Sequence, residues 1–312
     1  MFETPGGRHS VFMLFLAASL IAFHGPLYSL MSLSLRDDRY SFNLVIPFLS
    51  VFLVYLKRQA LARGRYRCGV GIPLVLLGAI LSYIAAGRPA SSDQAGSLSV
   101  MVSALVLVWM GGFIACYGTQ AFAAVIFPLC FLLWMVPIPR IALDKLSLLL
   151  QAGSAEAAYV LVKLTGVPVL RQGFTFSLPG LDIEVARECS GIRSALALLI
   201  TGSLASYILL RCWWSRSCLV LAIVPIAVFK NAVRIVTISY LGLYVNPDFL
   251  HGRLHRNGGL PFAMLAVAML VPVLLLLRTF EVRRAEKARM IRCAEAGHSA
   301  FRSPELHGEA EG

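Results

Sequence analysis

The sequence predicts an all-α polytopic membrane protein, with about eight transmembrane helices and a small extracytoplasmic β-rich segment before a cysteine-bearing helix. Three observations predict it. Of the 312 residues, 58% are hydrophobic and 14% charged, and the mean hydropathy is +0.76. Soluble domains carry about 45–50% apolar and about 25% charged residues, so the surplus here needs an apolar solvent. The apolar residues fall in runs close to the roughly 20 that a helix rising about 1.5 Å per residue needs to cross about 30 Å of hydrocarbon. A stretch of alternating polar and apolar residues, 166–188, interrupts those runs.

Spans are expected near 11–34, 43–56, 69–86, 98–117, 120–136, 190–210, 217–241 and 259–278. The first follows Arg8. It is long for the about 7–15 apolar residues of a signal-peptide core, and no small-residue cleavage site follows it, so it reads as a retained span. The second is short and is expected to extend. A ninth stretch, 141–164, contains Asp144, Lys145, Gln151, Glu156 and Lys163, which suit an amphipathic helix lying on the surface.

Lys and Arg number 28 against 16 Asp and Glu, a net charge of +12. They lie in short tracts between apolar runs, the pattern of loops held at an anionic membrane surface, and not that of a nucleic-acid-binding face. Lys57, Arg58, Arg63, Arg65 and Arg67 follow the second span, Arg211 and Arg216 the sixth, and Arg283, Arg284, Lys287, Arg289 and Arg292 the eighth. With eight spans these tracts share one side with Arg8, which the positive-inside rule makes cytoplasmic. The chain then reads as a multi-pass protein of the cytoplasmic membrane with both termini inside. Residues 1–278 form an integral membrane domain with an outer-face segment, 139–189. Residues 279–312 form a basic, then polar, cytoplasmic tail, expected to be disordered beyond about 293.

In the outer segment, Val167–Arg171 and Phe174–Leu178 flank the turn-like pair Gln172-Gly173, and Pro179-Gly180 forms another turn. Residues 182–187 alternate polar and apolar. Short strands packed over the membrane face are expected.

Three residues there suit covalent chemistry. Cys189 lies where the strand pattern gives way to an apolar helix. A thiol at a helix N-terminus feels the positive end of the helix dipole, which favours the thiolate; the plainer reading is a small buried residue. No other cysteine falls at the outer face, and the seven form no Cys-x-x-Cys pair, so neither a structural disulfide nor zinc is expected there. Arg234 stands in an apolar span, costly unless it functions or snorkels to water, and Lys230 and Asn231 one turn earlier extend a polar stripe. His255 precedes the last span, with His251 four residues before it. Cys189 and Arg234 are 45 residues apart, enough for two spans and a short turn, so all three can share one face. Cysteine to attack, histidine to move protons and arginine to meet an oxyanion together suit acyl transfer.

Several pieces in order now resemble the exosortase/archaeosortase family of membrane transpeptidases: Trp134-Met135-Val136-Pro137-Ile138-Pro139, the Gly166–Gly173 stretch, Cys189-Ser190-Gly191-Ile192-Arg193-Ser194, Asn231-Ala232-Val233-Arg234, and His255 with Gly259. The resemblance covers most of residues 30–278. It implies Cys189 as nucleophile, with Arg234 and His255 completing the site, Ser190, Asn231 and His251 in support, and no metal or cofactor. It implies tail-anchored exported substrates whose C-terminal sorting tail often carries Pro-Glu-Pro, a hydrophobic helix and a basic cluster. The acyl acceptor is an amine or water. The rival reading is a non-enzymatic component of protein export or exopolysaccharide assembly. A solute transporter is disfavoured, because intramembrane charges are few and no paired broken helices are evident in the sequence.

Overall fold

A computed structural model describes residues 5–59, 68–87, 94–179, 181–185, 190–245 and 259–301. Uncharged Leu, Ile, Val and Ala runs become helices because lipid leaves each backbone N–H no partner except its own carbonyls. Among the described residues, six helices are long and apolar enough to cross a membrane, or up to eight if each of two bent pairs is one span. The chain is an all-α polytopic membrane protein with one small sheet, as the sequence predicts.

The chain divides into two compact units, Met1–Leu149 and Leu150–Gly312. The first contains α1 (Pro5–Ala22), α2 (His24–Arg36), a 3-10 turn over Asp38–Leu44, α3 (Ile46–Leu56), α4 (Cys68–Ala86), α5 (Gln94–Ala124), α6 (Ile126–Phe131) and a 3-10 turn over Leu132–Met135. The expected second span is extended by the turn at Asp38–Leu44, giving 19 residues in all.

Three expected spans need correction. The first is not one straight helix: α1 and α2 meet at 72°. Pro26 lacks an N–H, and its ring opposes the carbonyl four residues back, Ala22, where α1 ends. The fourth and fifth are not separate at 117–120. Helix α5 runs to Ala124 with a kink at Gly118, and the remainder forms only α6 and its 3-10 turn. Extended Val136, ahead of Pro137, ends that turn. The next helix, α7 (Arg140–Leu164), is bent 94° from it. Helices α4 and α5 pack backbone to backbone: a Cβ on Gly71 would lie 2.2 Å from the Gly111 carbonyl oxygen, the close approach that small residues permit in membranes.

The second unit holds most of α7, β1 (Leu170–Gln172), β2 (Thr175–Leu178), β3 (Leu181–Glu184), α8 (Ile192–Leu209), α9 (Trp213–Tyr244) and α10 (Gly259–Phe301). The strands form an antiparallel sheet in the order β1-β2-β3, with Gln172 opposite Thr175 and Phe176 opposite Ile183. The expected strand segment is therefore present, and 141–164 is helical as expected. Phe176 and Val185 pack with Ala155 and Ala158 of α7 and Ala232 and Ile235 of α9. Arg171 pairs with Glu156 at 2.5 Å and lies over the Tyr159 and Phe176 rings, which ties β1 to α7. Helices α8 and α9 form an antiparallel hairpin with α10 against it, around Leu198, Leu219, Ile223, Ala266 and Leu270.

The tail also differs from expectation. Helix α10 does not stop near 278 but continues to Phe301. Residues 281–289 are Glu, Arg, Lys and Ala apart from Val282, and these strong helix formers let the helix continue past the apolar run. Residues 302–312 lie outside the described residues.

Candidate active site

Cys189, His251 and His255 lie outside the described residues, as do 186–188. Ser190, Asn231 and Arg234 are described, and all belong to the second unit. The chain on both sides of 186–189 is fixed in place by named contacts.

Before residue 186, Val185 is buried in the core beneath the sheet, and its N–H donates to the Phe174 carbonyl at 2.9 Å. Its own carbonyl accepts a hydrogen bond from Gln151 Nε2 at 2.6 Å. Gln151 is 4% exposed on α7, and Ser154, one turn on, is wholly buried. The amphipathic reading of 141–164 takes Gln151 as a surface residue. It instead holds the end of β3. Nothing in composition identifies that role, because donor and acceptor are 34 residues apart.

After residue 189, Ser190 is 2% exposed, and its hydroxyl has no hydrogen-bond partner among the described residues. Gly191 is the N-cap of α8 with φ +71. A non-glycine residue pays a steric cost of about 1–2 kcal/mol in that left-handed region. Space excludes a side chain as well: a Cβ on Gly191 would sit 2.8 Å from Asn231 Oδ1. Ser194, in the first turn of α8, donates from Oγ to the Gly191 carbonyl at 2.9 Å and accepts from Lys230 Nζ. Lys230 is 3% exposed and has no carboxylate partner among the described residues.

Hairpin geometry explains these meetings. Helix α8 has 18 residues and α9 has 32. At about 1.5 Å per residue, Ser194 stands roughly 22 Å from the end of α8 and Lys230 roughly 26 Å from the start of α9, so the two antiparallel helices bring them level. Asn231 follows Lys230, and Arg234 is one further turn along, half-buried. The polar stripe expected from sequence is thus a face of α9 turned toward the N-terminus of α8. Sequence reasoning missed Ser194 and Gln151. Ser194 carried a signal in its i+3 spacing from Gly191, which lets a serine close on that carbonyl.

The arrangement suits anionic chemistry. Two cations and an amide line one face of α9, beside the α8 N-terminus, the positive end of that helix's dipole. Placed in an apolar surround, such donors favour a developing oxyanion far more than they would in water.

A family model described as transmembrane exosortase matches residues 33–273. No curated protein and no solved structure matches the chain.

Proposed function

Because the chain belongs to the transmembrane exosortase family, a family of membrane transpeptidases or proteases that act in protein sorting, we propose that it cleaves C-terminal sorting tails of exported proteins through a thioester on Cys189. The observation that carries this reading is the anchoring of both flanks of Cys189: Val185 by Gln151, and Gly191 by Ser194, Lys230 and Asn231. A nucleophile gains from such positioning, because small displacements in attack geometry cost large factors in rate.

In the proposed reaction the Cys189 thiolate attacks the scissile carbonyl. An S–C bond forms, and the carbonyl electron pair moves to oxygen, where the Arg234 guanidinium meets the charge. Collapse breaks the C–N bond, and the tail leaves as an amine carrying a proton from His255. The acyl group remains as a thioester. An amine acceptor then forms a new amide, or water forms a carboxylate, with His255 taking the proton and the thiolate released. Ser190, Asn231 and His251 support this site. Its proposed location is the extracytoplasmic face of the cytoplasmic membrane, with both termini inside, consistent with the basic tracts.

A substrate with its own C-terminal membrane helix would present the scissile bond just outside the bilayer and confine the encounter to two dimensions, raising effective concentration. The deciding experiment is co-expression of a tail-anchored candidate with this chain, reading the substrate's C-terminal mass and trapping the acyl-enzyme. Expected are tail loss and a thioester that maps to Cys189, both absent in Cys189→Ala. Equal processing with and without the chain, or undiminished processing by Cys189→Ala, overturns the reading. Among the histidines, His255→Ala is expected to abolish turnover, and loss confined to His251→Ala would reassign the proton shuttle.

A further inference from the structure

The first unit contains a cavity of about 1220 Å³ far in sequence from the Cys189 segment. It runs along α2 from Gly25 to Arg36 and is closed by the first turns of α5 and α7. Small-molecule pockets are commonly about 300–1,000 Å³, so this space suits a larger or elongated occupant. Leu33, Leu98, Met101 and Leu143 share its lining with five charged side chains.

The charges are unbalanced. Three arginines, Arg36, Arg39 and Arg140, face two aspartates, Asp37 and Asp144. Arg39 is committed to Asp37 through hydrogen bonds of 2.8–3.1 Å. Arg36 and Arg140 make no ion pair among the described residues. Arg140 is also the first residue of α7, where unsatisfied N–H groups already concentrate positive charge. A cation placed there gains from nearby anions, and Asp37 is near enough to feel its charge without pairing with it.

Depth supplies the second argument. Helix α1 lies along α5 through Phe12 on Phe113 and Trp109 donating to Ser19 at 2.8 Å. Helix α2 leaves α1 at 72° and crosses the N-terminal end of α5. Ser29, Ser32 and Arg36 follow one another at i, i+3 and i+7 on its cavity side, while exposed Met31 and Leu35 lie elsewhere around the helix. An amphipathic helix at the end of a spanning bundle belongs at the lipid headgroup level.

We propose that this cavity is a site for an anionic phospholipid, with Arg36 and Arg140 on the phosphate and an acyl chain along Leu33, Leu98, Met101 and Leu143. Arginine suits the task because its planar fork can hold two phosphate oxygens at once. The site is independent of the thioester reading.

The test uses the full-length protein, delipidated in detergent, incubated with vesicles of phosphatidylglycerol or phosphatidylcholine and examined by native mass spectrometry. Wild type is expected to retain one phosphatidylglycerol in preference to phosphatidylcholine. Arg36→Gln with Arg140→Gln is expected to weaken that retention about tenfold, in keeping with loss of charge-assisted hydrogen bonds. Ser32→Trp adds bulk on the cavity side of α2 without altering charge and should weaken retention. Arg283→Gln with Arg284→Gln, in the basic tract of α10, should leave it unchanged. Equal retention of both lipids by wild type, or undiminished retention in either cavity variant, overturns the proposal. So does displacement of the lipid by millimolar inorganic phosphate, which would make this a site for a soluble anion. A variant that fails to fold is replaced by Arg36→Lys with Arg140→Lys, which keeps the charge but not the fork and should lose part of the preference.

Discussion

Gly191 and Asn231 are in such close register that no side chain fits between them: a Cβ on Gly191 would stand 2.8 Å from Asn231 Oδ1, and φ at Gly191 is +71. Two independent costs therefore fall on Gly191→Ala, left-handed strain of about 1–2 kcal/mol and steric overlap. We predict that Gly191→Ala inserts in the membrane but loses processing by at least about tenfold, since 1.36 kcal/mol off the alignment of a reacting group is a factor of ten in rate. Replacing Asn231 by Ala in the same background removes the overlap but leaves the strain. Processing at the wild-type rate by Gly191→Ala would show that the turn is not part of the site.

Lys230 is a buried cation whose Nζ meets Ser194 Oγ, and that hydroxyl continues to the Gly191 carbonyl. A serine that merely bonds back to its own helix, beside a lysine held only by packing, would show the same local geometry. The alternatives separate experimentally. Lys230→Met keeps the length and removes an expensive charge, so thermal stability in detergent is expected to hold or rise. Processing should fall about tenfold or more if the chain of contacts positions the α8 N-terminus. Ser194→Ala should fall similarly, and the double variant should be no worse than either single, because all three break one relay. Additive losses, or no loss with Lys230→Met, would sink the relay.

The spans were legible because lipid demands runs of roughly 20 apolar residues, and the sheet because 166–188 alternates around Gly173. Bends were less visible. Pro26 and Pro137 were in plain view, yet hydropathy averages over them and read 11–34 as one helix. The polar stripe Lys230, Asn231 and Arg234 was legible from its charge in an apolar setting. Its partners were not: Gln151 to Val185 spans 34 residues and Ser194 to Lys230 spans 36, and such contacts follow from packing. The length of the last helix was less legible than its span, because hydropathy marks where the apolar run ends while helix propensity in residues 281–289 carries the helix further.

That tail helix gives a stability prediction. Glu281 on α10 accepts the Arg211 N–H at 2.9 Å and the Cys212 N–H at 2.8 Å, capping α9 from another helix. Glu281→Ala leaves two donors at a helix start to water. Because the site is largely exposed, the loss is expected at the lower end of the about 0.5–2 kcal/mol typical of a lost cap. The check is thermal unfolding in detergent, where a small drop in Tm is expected with processing per folded molecule unchanged. An unaltered Tm would show that water replaces the carboxylate without cost.

Gln151 offers the sharpest separation of packing from positioning. Its amide donates to the Val185 carbonyl four residues before Cys189, at 2.6 Å and out of contact with solvent. Gln151→Leu preserves volume but leaves that carbonyl buried without its donor, a penalty of about 1–3 kcal/mol. The chain can relieve the penalty by letting Val185 move, and movement there shifts the start of the 186–189 segment. Processing should then fall more steeply than stability. Gln151→Glu gives a second reading: an ionised carboxylate cannot donate, whereas a protonated one can. Residual processing by Gln151→Glu is therefore expected to rise relative to wild type as pH falls through the carboxyl titration. Gln151→Leu should show no such rise. Measuring both variants against wild type between pH 5 and 8, by substrate C-terminal mass and by Tm, decides the matter. If Gln151→Leu lowers Tm and processing in proportion, or if the two variants share one pH profile, Gln151 serves the fold and has no separate part in setting the Cys189 segment.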